Sequence, residues 1–155
     1  MRFWDSSAIV PMLVPERSSA VVRRVFEEDP QVAVWWATEV ECASALARLE
    51  REGGIEAADV ADALDRLDAL ALSWREVQPM ADLRPVAVRL LRTHSVRSAD
   101  AFQLAAARAA SEDRPETLPF VTLDDRLSLA AQREGFEVIS PATGGGGGPR
   151  GRRPR

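Results

Sequence analysis

Arg2-Phe3-Trp4-Asp5-Ser6-Ser7-Ala8-Ile9-Val10 opens the chain, and its pattern sets the fold class. An apolar start runs into a lone Asp, then two small hydroxyl residues, then a second apolar run. The pattern predicts a short buried strand over residues 2–4 and a helix from Ser6. In an open α/β sheet, ligands collect where strands end and helices begin. Asp5 therefore stands where chemistry is placed. Taken alone, Asp5 or Ser6 is equally well explained as a helix cap, and capping is the commoner role.

Outward from this stretch, strand-like and helix-like segments alternate. Pro11 and Pro15 keep the first helix short. Residues 16–28 carry Val21, Val22, Val25 and Phe26 at helical spacing, and Asp29-Pro30 ends them. Residues 32–36 form a β-favouring run, and Thr38 is placed to cap a helix over 39–52 that Gly53-Gly54 terminates. Residues 56–72 set Val60, Leu64, Leu67 and Leu70 on one face and four Asp elsewhere, an amphipathic helix with a wet acidic side. A short strand is expected over 73–77, then a helix over 82–93 with Leu83, Val86, Leu90 and Leu91 as core candidates and Pro85 in its first turn. Residues 98–110 are apolar nearly all round, which predicts a central buried helix. Strands over 120–123 and 136–139 flank a last helix over 126–134, stopped by Gly135. Such alternation predicts an α/β fold with a parallel sheet covered on both faces. The expected domain spans residues 1–142. Residues 143–155, with five consecutive glycines, read as a flexible Gly/Arg-rich tail.

Composition narrows the function classes. A chain of 155 residues with 46% hydrophobic and 28% charged residues fits one soluble domain. The single Cys42 excludes an internal disulfide framework and suits a reducing, cytoplasmic setting. The opening strand is unlike a signal peptide, and no apolar run approaches the roughly 20 residues of a membrane span. The net charge is −4, but four of the 20 basic residues lie in the tail, leaving 16 against 24 acidic ones over residues 1–149, a net −8. A body so acidic is not a general phosphate-binding surface. All basic residues are Arg.

Four carboxylates recur at strand ends or helix starts: Asp5, Glu41, Asp100 and Asp124, with Asp125 beside the last. In a parallel sheet these points converge on one edge. Each has an ordinary explanation. Glu41 is one of many surface glutamates, and Glu39 lies equally near the helix start. Asp100 complements a helix dipole. Asp124 or Asp125 caps the last helix. Jointly, however, they form a like-charged cluster that protons or cations must neutralise. All-oxygen ligands suit Mg²⁺ or Mn²⁺, and such ions assist phosphodiester hydrolysis. A Ser-His-Asp set is implausible, because the one histidine, His94, reads as an exposed helix-end residue. Trp4, Trp35, Trp36 and Trp74 read as core rather than as stacking platforms.

Phe-Trp-Asp5-Ser-Ser7-Ala, Thr38-Glu-Val-Glu41-Cys-Ala-Ser-Ala-Leu, Ser98-Ala-Asp100-Ala-Phe-Gln-Leu and Phe-Val-Thr122-Leu-Asp124-Asp-Arg-Leu together resemble the PIN-domain family, specifically the VapC-type toxins of type II toxin–antitoxin pairs. The resemblance covers residues 1–140. It implies a three-layer α/β/α PIN-like fold with a central parallel sheet of four to five strands, and a Mg²⁺- or Mn²⁺-dependent endoribonuclease. By position, Asp5, Glu41, Asp100 and Asp124 match the acidic quartet. Ser7 and Thr122 match its supporting hydroxyls, and Asp125 is a neighbour able to substitute or orient. Asp5, Asp100 and Asp124 are the implied metal ligands, directly or through water, with Glu41 holding a second ion or the attacking water. Cleavage would leave a 5′-phosphate and a 3′-hydroxyl. Gln103 stands where many relatives carry His. The resemblance also implies a homodimer and a small antitoxin that occludes the cleft.

Two other classes compete. A receiver domain or haloacid-dehalogenase-like phosphatase also has acidic strand ends, but both normally use a Lys, absent here, and the phosphatase places a second Asp where this chain has Ser7. A non-catalytic PIN-like binding module would keep the fold and use the acids only for structure or partner contact.

Overall fold

A computed structural model describes residues 1–140, so the expected Gly/Arg tail lies outside the described residues. The elements run β1 (Arg2–Trp4), α1 (Ser6–Leu13), α2 (Ser19–Glu28), β2 (Val32–Trp35), α3 (Thr38–Arg51), α4 (Ala57–Ala71), β3 (Arg75–Val77), α5 (Leu83–Thr93), α6 (Ser98–Ala110), β4 (Phe120–Val121), α7 (Asp125–Arg133) and β5 (Val138–Ile139), with one 3₁₀ turn at Pro115–Thr117. The five strands form one sheet in the order β3-β2-β1-β4-β5, and every pairing is parallel.

Alternation along the strands builds the layers, because successive side chains leave a strand on opposite faces. Phe3, Ala33, Trp35 and Phe120 point to one face, where they bury against Leu83, Ala87 and Leu90 of α5, Leu104 of α6 and Leu127 of α7. Trp4, Val32, Val34 and Val121 point to the other, against Ile9 of α1, Val22 of α2, Leu46 of α3 and Leu67 of α4. The result is the expected three-layer α/β/α architecture. The Phe3 and Phe120 rings stack with centroids 5.4 Å apart, joining the two central strands. As expected, α6 is buried, with Ala101, Leu104, Ala105, Ala106 and Ala107 all enclosed.

The structure corrects several local expectations. Helix α2 starts at Ser19, not at 16, because the Ser19 hydroxyl accepts from the Glu16 N–H at 2.8 Å and donates to the Val14 carbonyl at 3.2 Å, holding the preceding residues in a turn. Thr38 is not the N-cap of α3 but its first residue, and its hydroxyl accepts from Gln103 at 3.2 Å. Leu91 is exposed and Ala87 takes its place inside, and Leu64 likewise yields to Ala63. Trp36 lies one residue beyond β2 and is 49% exposed, whereas Trp4, Trp35 and Trp74 are buried as expected. His94 is buried, 9% exposed, with its Nε2 2.8 Å from Glu134 Oε1.

Topology fixes where a site can lie. The chain builds leftward from β1 through β2 to β3, then returns to β4 and β5 on the other side. The order reverses between β1 and β4, and the crevice at their carboxyl ends is the switch point where open α/β sheets bind ligands. Asp5 directly follows β1 and Thr122 directly follows β4.

Candidate active site

Asp5 is the N-cap of α1, with extended backbone (φ −78°, ψ 152°), and its carboxylate accepts from the Ser7 N–H at 3.2 Å. It also accepts from the Ser7 hydroxyl and, at 3.1 Å, from the Thr122 hydroxyl. These two hydroxyl oxygens lie 3.3 Å apart. Ser7 Oγ in turn accepts from the Leu123 N–H at 2.9 Å, and Thr122 Oγ1 from the Asp124 N–H at 3.1 Å. The cap expected of Asp5 is therefore real, but it is one corner of a network that stitches the ends of β1 and β4 together. Asp5 is only 4% exposed. Burial pushes its carboxyl above the ordinary range, three hydrogen bonds from Ser7 and Thr122 pull it back, and repulsion from Asp100 adds to the rise.

Glu41 sits in the first turn of α3, which leaves β2 over the same sheet edge. The buried Gln103 Nε2 of α6 donates to Glu41 Oε2 at 2.7 Å as well as to Thr38. Burial again raises the carboxyl, bonds from Gln103 and Ser6 oppose it, and the charges of Asp5 and Asp100 raise it further. Asp100 lies in the first turn of α6, where its Oδ2 accepts from the Arg97 N–H at 2.9 Å. Thus Asp5, Glu41 and Asp100, far apart in sequence, share one electrostatic neighbourhood. Glu41 and Asp100 line a cleft of about 810 Å³ together with Ser6 and Ser7.

Asp124 stands at the margin. It caps α7, with Oδ1 accepting from the Arg126 and Leu127 N–H groups at 2.8 and 2.9 Å. Its link to Asp5 runs through the Thr122 hydroxyl. Asp125 is the exposed first residue of α7. Among the described residues, no three His, Cys, Asp or Glu side chains converge closely enough to cage a metal ion. Each of the four acids accepts at least one hydrogen bond from a protein donor.

The donor set nevertheless fits a hydrated divalent cation. Mg²⁺ retains several waters and needs only one or two direct carboxylates. The Gln103 Oε1 atom, buried beside Glu41, has no hydrogen-bond partner in the protein, and such an orphan acceptor costs about 1–3 kcal/mol. The one cysteine offers no alternative nucleophile, because burial and the neighbouring acids push the Cys42 thiol far up.

The cleft also contains residues the motif positions did not single out. Arg48 and Arg51 of α3 and Arg97 before α6 line it, as do Glu16 and Ser44. The available signal was spacing, since Ser44, Arg48 and Arg51 continue the face of α3 that begins at Glu41.

Comparison with known proteins bears on the family and the fold. A family model described as PIN domain matches residues 2–133. A solved structure of FitAB bound to an IR36 DNA fragment is similar over 91% of this chain and 95% of that one, with 18% identity and a TM-score of 0.63. FitAcB from Neisseria gonorrhoeae matches over 91% and 98% of the two chains, with 19% identity and a TM-score of 0.60. PAE2754 from Pyrobaculum aerophilum matches over 83% of each chain, with 20% identity and a TM-score of 0.53. At these identities the structural matches speak to fold. No curated protein matches the sequence significantly.

Proposed function

The chain belongs to the PIN-domain family, and from that premise we propose that it is a Mg²⁺- or Mn²⁺-dependent endoribonuclease, the toxin of a toxin–antitoxin pair. The observation that carries this is the gathering of Asp5, Glu41 and Asp100 at the switch-point crevice, where burial and mutual repulsion raise both Asp5 and Glu41. A fold does not place repelling acids there for stability, since the arrangement costs free energy unless a cation accompanies it.

Asp5 and Asp100 would hold the ion, and Asp124 would complete its surroundings through water. When bound, a divalent ion supplies Lewis-acid polarisation of a phosphoryl oxygen and a water of lowered pKa. The protein's own residues do the positioning. Ser7 and Thr122 fix the orientation of Asp5 through their hydroxyls, which favour its ionised form against the opposing effect of burial. Gln103 keeps Glu41 directed by a single short bond, so that its second oxygen is left to take the proton of an attacking water. The partners in this proposal are an RNA substrate, a small antitoxin covering the cleft, and a second copy of the chain. The domain would be residues 1–142, with the Gly/Arg tail appended.

The test is cleavage of total RNA by the purified chain with Mg²⁺ or Mn²⁺, followed by mapping of the product ends. Single-stranded DNA serves as the second substrate, since one fold neighbour was solved on DNA. Cleavage to 5′-phosphate ends is expected, and Asp100→Asn should slow it by at least about 100-fold. Equal cutting in excess EDTA would refute the metal-dependent part, and equal cutting by Asp100→Asn the site.

A further inference from the structure

The acids of the cleft create a problem for any substrate that carries phosphates. Glu41 and Asp100 line the cleft, in a body whose residues 1–149 carry a net charge of −8, and a polyanion is repelled from such a surface. The structure answers this at the mouth. Arg48 and Arg51 line the cleft from α3, as Glu41 does, and Arg97, at the start of α6 with its N–H bonded to Asp100, lines it too. All three are exposed. Glu16, Glu41 and Asp100 line the same cleft, yet among the described residues none of the three arginines forms an ion pair, unlike Arg2, Arg66, Arg89, Arg108 and Arg114. Their guanidinium donors are therefore open to an incoming acceptor.

Their placement is linear. At 1.5 Å per residue, Arg48 and Arg51 lie roughly 10 and 15 Å along the α3 axis from Glu41. That is too far to touch the bond being cut and right for gripping phosphates farther along the strand. Guanidinium is suited to that task, because its planar fork matches phosphate oxygens in pairs. We infer that Arg48 and Arg51, with Arg97 at the start of α6, form a phosphate-holding rim that lays a single-stranded nucleic-acid backbone along α3 and delivers it to the acids. An acidic protein segment is the weaker occupant, since the file of arginines leads directly to a cluster of carboxylates that would repel it. The proposal rests on the nucleic-acid reading of the site but not on catalysis, and the two can fail separately.

Binding of a short fluorescein-labelled poly(U) strand is measured by anisotropy over a salt series, with every chain in the Asp100→Asn background so that the strand stays intact. For single strands, log K falls with log salt by about 0.7 for each phosphate neutralised. Arg48→Gln and Arg51→Gln should each flatten that slope by about this amount, whereas Arg24→Gln, exposed on α2 outside the cleft, should not. In the cleaving wild-type background, the Arg48→Gln/Arg51→Gln double variant should raise KM by about tenfold or more, the loss appearing in KM rather than kcat. An unchanged slope and KM in folded variants overturns the rim, and so does a double variant that loses binding to poly-glutamate peptide while binding poly(U) as before. A wild-type chain that cuts no RNA but binds poly(U) with an Arg48- and Arg51-dependent slope removes the nuclease reading and leaves the rim standing.

Discussion

On the proposed function, Asp5 serves both the fold and the chemistry. Its position after β1 makes it a helix cap, and it receives the cap's backbone bond. Capping alone does not need a buried charge, since Asn caps about as well. Burial outweighs the hydroxyl bonds from Ser7 and Thr122, so the folded carboxyl titrates above its unfolded value of 3.8. An acid with a raised folded pKa costs stability above that pKa, and the cost fades as pH falls through it. Asp5→Asn keeps the acceptor oxygen and removes the charge. Its melting temperature at neutral pH should therefore rise by about 2–4 °C, the shift that roughly 1 kcal/mol produces in a chain of this size, while RNA cleavage is lost. The gain should shrink as the pH is lowered through the range where Asp5 protonates. Scanning calorimetry at several pH values checks this, and a melting temperature that falls would mean that the hydroxyl network favours the ionised form more than burial opposes it.

Between the elements, the packing that sequence pattern made legible was the apolar part. The short apolar start at Arg2–Trp4, the β-favouring run at Val32–Trp35 and the nearly all-apolar Ser98–Ala110 announced the sheet and its covering helix. What pattern could not reach were contacts set by distant polar partners. His94 looked exposed because its partner, Glu134, lies 40 residues away. Glu134 closes α7 and binds three side chains from two other helices at once: Arg89 of α5 at 2.7 and 3.0 Å, His94 at the end of α5, and Arg108 of α6 at 3.1 Å. These bonds, that from Arg89 first, hold its carboxyl down at about 2. A depressed carboxyl contributes stability above its unfolded value of 4.5 and loses it as pH falls toward 2. Arg89 is half exposed, so solvent screens part of that gain. Glu134→Gln leaves the buried His94 poorly partnered and removes the charge that Arg89 and Arg108 share, and should cost about 1–3 kcal/mol at neutral pH. Urea midpoints for the two proteins should converge as the buffer is taken from neutral to about pH 2.5. A gap that persists at low pH would assign the loss to packing rather than charge.

Over the whole molecule, the site was legible as a set of residue types but not as a geometry. Spacing located Asp5, Glu41 and Asp100, and the parallel topology explains why they meet, since β1 and β2 deliver the first two to the same sheet edge and α6 lies across it. Asp124 differs, because the cap it makes on α7 uses one of its oxygens locally. The arginine rim escaped notice because net charge averages over a surface that is locally divided. On the proposed function, this division would make the cation a stability determinant as well as a cofactor. An ion that binds the folded cleft and not the unfolded chain stabilises by mass action, about 2.7 kcal/mol at 100 times its dissociation constant. Adding Mg²⁺ or Mn²⁺ at constant ionic strength should therefore raise the melting temperature of the wild type by several degrees. Asp5→Asn should start higher and gain little, Asp100→Asn should also gain little, and Glu134→Gln should start lower and gain as much as the wild type. Equal gains in all four proteins would place the ion elsewhere on the surface and leave the raised carboxyls of Asp5 and Glu41 without the counter-charge that their burial demands.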